Sequence, residues 1–409
     1  MIRNRKDDML SEATNRFYGA WWGAFLGDAA AMPTHGFSSS KLLKADYGEV
    51  NSFAAPKPTH PESVLHAIPA PILPPEYDYI GPKRRHLWRE RDAHPHCGMD
   101  AGENTLPMYL ALHLAVSMCE KGGFDADDWM ERYRLVMVTP DGHRDTFIPS
   151  IHRKYFENLA SGKDPEANGC PEAHMSDIAT FIPLMLFIMR NPEKTQMGLL
   201  HALKKFSSGE SAYSAAFFVA ELLSYIIKGA TIESAMYDKM TPDRHFSLAF
   251  PYRRWIKNRD DEQAINSTGI FASIDEGLPL SLYISLKYGN DFKCAIFSNA
   301  NIGGESTGRG VIIGMLAGAQ TGFDNLPQDL ISSLKYAGEI QARWGDALQP
   351  CKRALIRRYE FSAIVAHFLN GGCENRCFLK KTRCCLHARY CAVLTDFRHV
   401  LQRANHSIL

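Results

Sequence analysis

Four stretches of the chain carry side chains whose types and spacing suit chemistry on an oxygen-rich ligand. From Asn299 to Gly310 the chain reads Asn-Ala-Asn-Ile-Gly-Gly-Glu-Ser-Thr-Gly-Arg-Gly. Gly303 and Gly304 allow a sharp bend or a close approach to a ligand, and Glu305, Ser306 and Thr307 put three oxygen-bearing side chains in a row. Arg309, just beyond, can fork onto a phosphate or pair with a carboxylate of the body. A second stretch, Ala101 to Met108, sets Glu103 and Asn104 ahead of a helical pattern, where they either serve a ligand or cap the helix. Asp28 stands alone in an apolar run, and a carboxylate there needs a partner. Thr139 to Thr146 places Asp141, His143 and Asp145 on alternate positions of a turn. Histidine titrates near neutral pH and a nearby carboxylate fixes its tautomer, so this is either an acid/base pair or a surface turn with a solvated salt link.

The elements that must position these groups are helical. Gly19, Gly23 and Gly27 recur every four residues, and a glycine inside a helix costs about 1 kcal/mol relative to alanine, so a second helix backbone is expected to approach that face. Apolar residues recur at helical spacing over 109–121, 176–190, 211–228, 278–288, 292–300 and 310–322, while alternating strand-like runs are scarce. The segment 52–95 is rich in proline and histidine and reads as a long loop or lid. A second irregular stretch spans 239–267. His94-Pro-His96-Cys97 reads as a surface loop rather than a metal cluster because a fourth ligand is missing. Trp21 and Trp22 read as core rather than as a stacking platform.

Phe17-Tyr-Gly-Ala-Trp-Trp-Gly-Ala-Phe-Leu-Gly-Asp28 running into Met32-Pro33-Thr34, Gly102-Glu103-Asn104-Thr105, Glu276-Gly277-Leu278-Pro279, Gly303 to Gly308 and the closing Ala317-Gly318-Ala319-Gln320-Thr321-Gly322 occur in one order. In that order the chain resembles the ADP-ribosylglycohydrolase family, over residues 14–345. The resemblance implies an all-α fold, a compact orthogonal multi-helix bundle, and hydrolysis of the glycosidic bond at ribose C1 of an ADP-ribosylated protein or small molecule. It also implies a pair of magnesium ions held by a Thr-Asp-Asp-Thr motif, a Gly-Gly-Asp-Thr-Asp-Thr motif and an acidic residue after Met-Pro-Thr. Here those places hold Gly102-Glu103-Asn104-Thr105, Gly303-Gly304-Glu305-Ser306-Thr307-Gly308 and His35. Magnesium favours carboxylate and water oxygens in octahedra, so one ion, another ion or none is expected.

On this reading Glu103 and Glu305 face each other across one pocket as catalytic carboxylates and metal ligands, with Asp28 orienting them. Asp145 joins them as a catalytic group. Asn104, His143, Thr307, Arg309, Gly303 and Gly304 contact the substrate. The alternatives are a non-catalytic ADP-ribose or nucleotide binder, a structural homologue, or a glycosidase for another ribosyl substrate.

A formal net charge of +1 gives no electrostatic case for nucleic acid or an anionic membrane. The apolar run 181–189 falls short of the ~20 residues that span a bilayer, and the first residues lack a signal peptide's apolar core. A cytoplasmic monomer is the expectation. Six of the ten cysteines, from Cys351 to Cys391, crowd a basic extension over 346–409 without paired CxxC spacing, which favours an unliganded extension over a zinc site.

Overall fold

The three early glycines find their counterpart near the far end of the chain. In the computed structural model, which describes residues 5–187 and 192–345, the helix Arg5–Ala31 lies antiparallel against the helix Ser306–Thr321. A Cβ on Gly19, Gly23 or Gly27 would stand 2.1, 2.0 and 2.0 Å from the carbonyl oxygens of Gly318, Gly314 and Gly310 respectively. Side chains are therefore excluded along the whole seam, and backbone packs on backbone. The expected close approach is present. Its partner is the helix that follows the second glycine-rich turn.

Every regular element among the described residues is helical, and three isolated β-bridges are the extended pairings there. The all-α expectation holds. The predicted helix over 292–300 is Phe292–Ala300, and those over 109–121, 211–228, 278–288 and 310–322 are Leu106–Lys121, Glu210–Ile227, Ile274–Tyr288 and Ser306–Thr321. One reading needs correction. The apolar run from 176 forms two short helices, Met175–Ala179 and Ile182–Phe187, because Pro183 has no N–H to continue a ladder across the break at Thr180 and Phe181. The short helix Met175–Ala179 sits hard on the late glycine helix: a Cβ on Gly308 would lie 2.7 Å from Met175 Cβ and 2.7 Å from Ser176 N.

The proline-rich segment 52–95 is irregular apart from short 3-10 turns, and it is anchored to the body at intervals. Leu65, Tyr79 and Trp88 are buried, and Trp88 Nε1 donates to Thr146 O at 3.0 Å. It therefore carries His94 and His96 into the interior. Both are essentially unexposed, which overturns their reading as a surface loop. Trp21 and Trp22 are core, Trp21 against Phe25 and Trp22 against Phe323. The cysteines from Cys351 onward and the expected extension 346–409 lie outside the described residues.

Candidate active site

Glu305 is presented by a turn that only glycine can make. Gly303 and Gly304 hold φ of +83° and +62°, and a Cβ on Gly304 would be 2.0 Å from Ile270 O. Gly304 N donates to Phe37 O at 2.7 Å, Gly36 N to Gly304 O at 2.9 Å, and Glu305 N to Ile270 O at 2.9 Å. The close approach these glycines permit is thus to the protein's own backbone. Arg309 completes the clamp. It is fully buried, with Nε donating to Asn299 Oδ1 at 3.0 Å, Nη1 to Ile270 O at 2.8 Å and Nη2 to Gly303 O. All its nitrogens serve the turn, which corrects the expectation that it reaches a phosphate.

From Glu305 a file of buried side chains crosses the interior. Glu305 Oε2 meets His35 Nε2 at 2.8 Å, His35 Nδ1 meets His96 Nε2 at 2.7 Å, and His96 Nδ1 meets Asp145 Oδ1 at 2.7 Å. Asp145 also accepts from Leu106 N at 2.8 Å and Phe147 N at 3.1 Å. Burial would push Glu305 up, but the charge of His35 and its hydrogen bond bring the carboxyl down to about 2. Burial raises Asp145 too, and the charge and hydrogen bond of His96 leave it below the usual range. Burial opposes charge on His35, yet Glu305 and then Asp145 raise it.

With both carboxylates ionised, each of the three contacts needs one proton. Two neutral imidazoles supply two protons. The pair therefore shares a third and carries one positive charge. His94 props the file from behind: it accepts from His96 N at 3.0 Å through Nδ1, so its Nε2 donates to Pro33 O at 3.1 Å.

Asp28 closes the other side. Its carboxylate accepts from Asn104 Nδ2 at 2.9 Å, Thr105 N at 2.8 Å and Thr105 Oγ1 at 2.7 Å. Desolvation outweighs these bonds and raises it to about 6. Asp28 and Asp145 together supply the anions at the N-terminus of the helix Leu106–Lys121, so each orients the Asn104 segment. Asp28 thus holds Asn104 and Thr105, whereas the sequence reading has it orienting Glu103 and Glu305.

Glu103 turns elsewhere. Its Oε2 accepts from Arg144 Nη1 at 2.9 Å and Asp100 N at 2.8 Å, and its Oε1 from Tyr336 Oη at 3.0 Å. The structure joins Glu305 to Asp145 through two histidines and joins neither of them to Glu103 by a hydrogen bond or ion pair. The expectation of Glu103 as a free carboxylate opposite Glu305 is corrected to this extent: both its oxygens are held by Arg144, Asp100 and Tyr336. His143 also differs from expectation. Burial first, and then Arg84, lower it to about 3, and its Nδ1 lies 3.2 Å from Arg84 Nη1, so it is neutral and serves Arg84. His143 and Arg144 line a cleft of about 640 Å³ with Cys97, Gly98 and Thr146, a lining that includes none of Glu305, Asn104 and Thr307.

Among the buried polar atoms without a hydrogen-bond partner are Glu305 Oε1, Asn104 Oδ1 and Asp177 Oδ1. Asp177 Oδ2 accepts from His174 N at 2.8 Å, while burial, with Glu305 among the further causes, raises its carboxyl well above the usual range. The two carboxyls are thus driven in opposite directions, Glu305 down and Asp177 up. Thr307 is buried in the first turn after Glu305. Phe271, one residue beyond the carbonyl that receives Glu305 N, is 62 % exposed although its own N–H is held by Glu276 Oε2 at 2.9 Å.

Sequence reasoning missed His35 and His96 as partners and Asp177 altogether. The available signals were His35 in place of an acid after Thr34 and a histidine pair in a proline-bearing segment; Asp177 gave none. A family model described as ADP-ribosylglycohydrolase matches residues 9–360. A solved structure titled "ADP-ribosylglycohydrolase-related protein complex" is similar, with a TM-score of 0.55 and 20% identity over 83% of this chain and 99% of the other, a likeness of fold. No curated protein matches the chain.

Proposed function

The chain belongs to the ADP-ribosylglycohydrolase family, and from that premise we propose that it hydrolyses the bond at ribose C1 of an ADP-ribosylated protein or small molecule through Glu305 and Asp177. The observation that carries this reading is the buried file Glu305–His35–His96–Asp145, which leaves Glu305 Oε1 ionised and without a partner. Cleavage of such a bond passes through an oxocarbenium-like state, which an adjacent carboxylate stabilises. Glu305 takes that place and accepts the proton of the attacking water. Asp177, protonated in the same region, gives its proton to the departing nitrogen or oxygen. The bond from C1 to that atom breaks as the bond from C1 to water oxygen forms. Paired carboxyls driven to opposite protonation states are the pattern expected of an acid and a base.

The remaining groups bind. Asn104 Oδ1 accepts a ribose hydroxyl, Thr307 offers its hydroxyl, and Phe271 gives the base a ring to stack on. Asp145 acts through His96 and His35 by fixing Glu305, so it is a positioning residue. Magnesium is given no step, because the donors present do not fit a two-ion site: His35 stands where an acid would, and both oxygens of Glu103 are taken.

The test is release of free ADP-ribose from a modified peptide. Glu305→Gln and Asp177→Asn should each lower kcat by about 10²-fold or more, with ADP-ribose affinity held within about threefold. Phe271→Ala should instead weaken affinity by about tenfold, on the order of 1–1.5 kcal/mol of stacking, with kcat little changed. Wild-type turnover that survives Glu305→Gln sinks the mechanism. Tight binding without release assigns the chain to the non-catalytic alternative.

A further inference from the structure

We infer that two sets of protein donors, the Arg144 guanidinium on Glu103 and the His35–His96 pair on Glu305, occupy in this chain the carboxylate positions that two divalent ions would need, so that the site functions without metal. Four carboxylates come from the family motifs and the buried file: Asp28, Glu103, Asp145 and Glu305. Seven of their eight oxygens accept hydrogen bonds from the protein, and Glu305 Oε1 is the eighth. A divalent ion of magnesium's kind takes about six oxygens in a near-ideal octahedron, several of them water and one or two from carboxylates, so two ions draw on several carboxylates at one place. The seven oxygens engaged by protein donors already share the negative charge that such ions would draw on.

The positions of these donors make the substitution specific. Arg144 is fixed on three sides, by Glu103 at 2.9 Å, Asp100 Oδ2 at 2.8 Å and Gly98 O at 2.7 Å, and Lys335 Nζ covers Asp100 at 3.0 Å. Glu103 is 1 % exposed, so without Arg144 it would be a buried anion with two neutral donors. At the other carboxylate, His35 Nε2 fills the direction of Glu305 Oε2, and Asp145 holds His96 behind it from the far end. Each acid kept in the two glycine-bearing motifs is thus matched by a base-bearing residue from another segment. Among the described residues no cluster of three His, Cys, Asp or Glu side chains is arranged to hold an ion.

The inference stands independently of the substrate, and the test uses the metals alone. Purified full-length protein is stripped with EDTA, and MgCl2, MnCl2 and CaCl2 are titrated calorimetrically at constant ionic strength. No saturable heat is expected up to millimolar concentration, and the protein as purified should carry substoichiometric divalent metal by elemental analysis. In a second arm ADP-ribose is titrated with EDTA and with Mg²⁺, and the two dissociation constants should agree within about twofold. The double variant His35→Glu with Arg144→Gln returns an acid and frees Glu103, and its divalent affinity should exceed the wild type's by about tenfold or more. Saturable micromolar binding by the wild type, or ADP-ribose affinity that falls about tenfold in EDTA, overturns the inference. Elemental analysis decides the matter even if the variant fails to fold. Should ADP-ribose not bind under any condition, the proposed function fails while the metal titrations still rule on this inference.

Discussion

At the scale of single residues the molecule is governed by buried charge. Glu305 has its carboxyl held at about 2 against an ordinary 4.5, so the stability it lends is present above 4.5 and lost as pH falls through about 2. The depression is worth on the order of 3 kcal/mol. Wild type and Glu305→Gln should therefore differ most in urea unfolding at pH 6 to 7, and the gap should close between pH 4.5 and 2. A gap that stays constant would mean that the pair with His35 is not the cause. His96 makes a second case. His96→Leu removes the imidazole bonded to both Asp145 and His35, and should cost about 3–5 kcal/mol by leaving the buried Asp145 with backbone donors alone. Lys293→Ala, which breaks an exposed pair with Asp329, should cost about 1 kcal/mol or less by the same assay. Little of this was legible in the sequence. His35 lies 61 residues from His96 and 270 from Glu305, and periodicity does not report which polar groups meet across such gaps. Glu103 was misread for the same reason, since Arg144 and Tyr336 decide its direction from 41 and 233 residues away.

At the scale of elements, local pattern and packing agreed more often. Helical spacing found five helices to within about four residues, but it passed over others such as Ala126–Val138 and Ser150–Ala160, and it read as irregular the stretch that holds Tyr252–Asn258 and Asp261–Thr268. It missed the break at Thr180, where an unbroken apolar run hid the effect of Pro183. The glycine seam was legible because the energetic cost of three glycines in one helix demands a compensating contact. That contact can be tested with one substitution at two places. Gly23→Ala puts a methyl 2.0 Å from Gly314 O and should destabilise by about 1–3 kcal/mol or more, because two backbones must separate. Gly338→Ala, on the exposed face of the helix Ala337–Gly345 with nothing within 4 Å, should stabilise by up to about 1 kcal/mol. Thermal denaturation of the two variants should show opposite shifts in Tm. Shifts of the same sign would mean that the seam has room to relax.

At the scale of the whole molecule, the first helix is completed by a helix nearly 300 residues later, so the centre of the fold depends on its most distant contact. A fragment that ends at Ala300 lacks that partner and leaves the glycine face of Arg5–Ala31 bare. It should show helical far-UV circular dichroism without a cooperative unfolding transition, whereas the full chain should unfold cooperatively; a sharp transition in the fragment would show that the seam is dispensable. Gly27 touches Gly310 one position from Asp28 and five positions from Glu305. The separation of these two acids is thus gauged by main chain against main chain, with no rotamer able to lengthen or shorten the span. Such a rigid gauge implies that catalysis will not drift gradually on warming. It should hold its tolerance until the two ends of the chain part company, and then be lost in a single step.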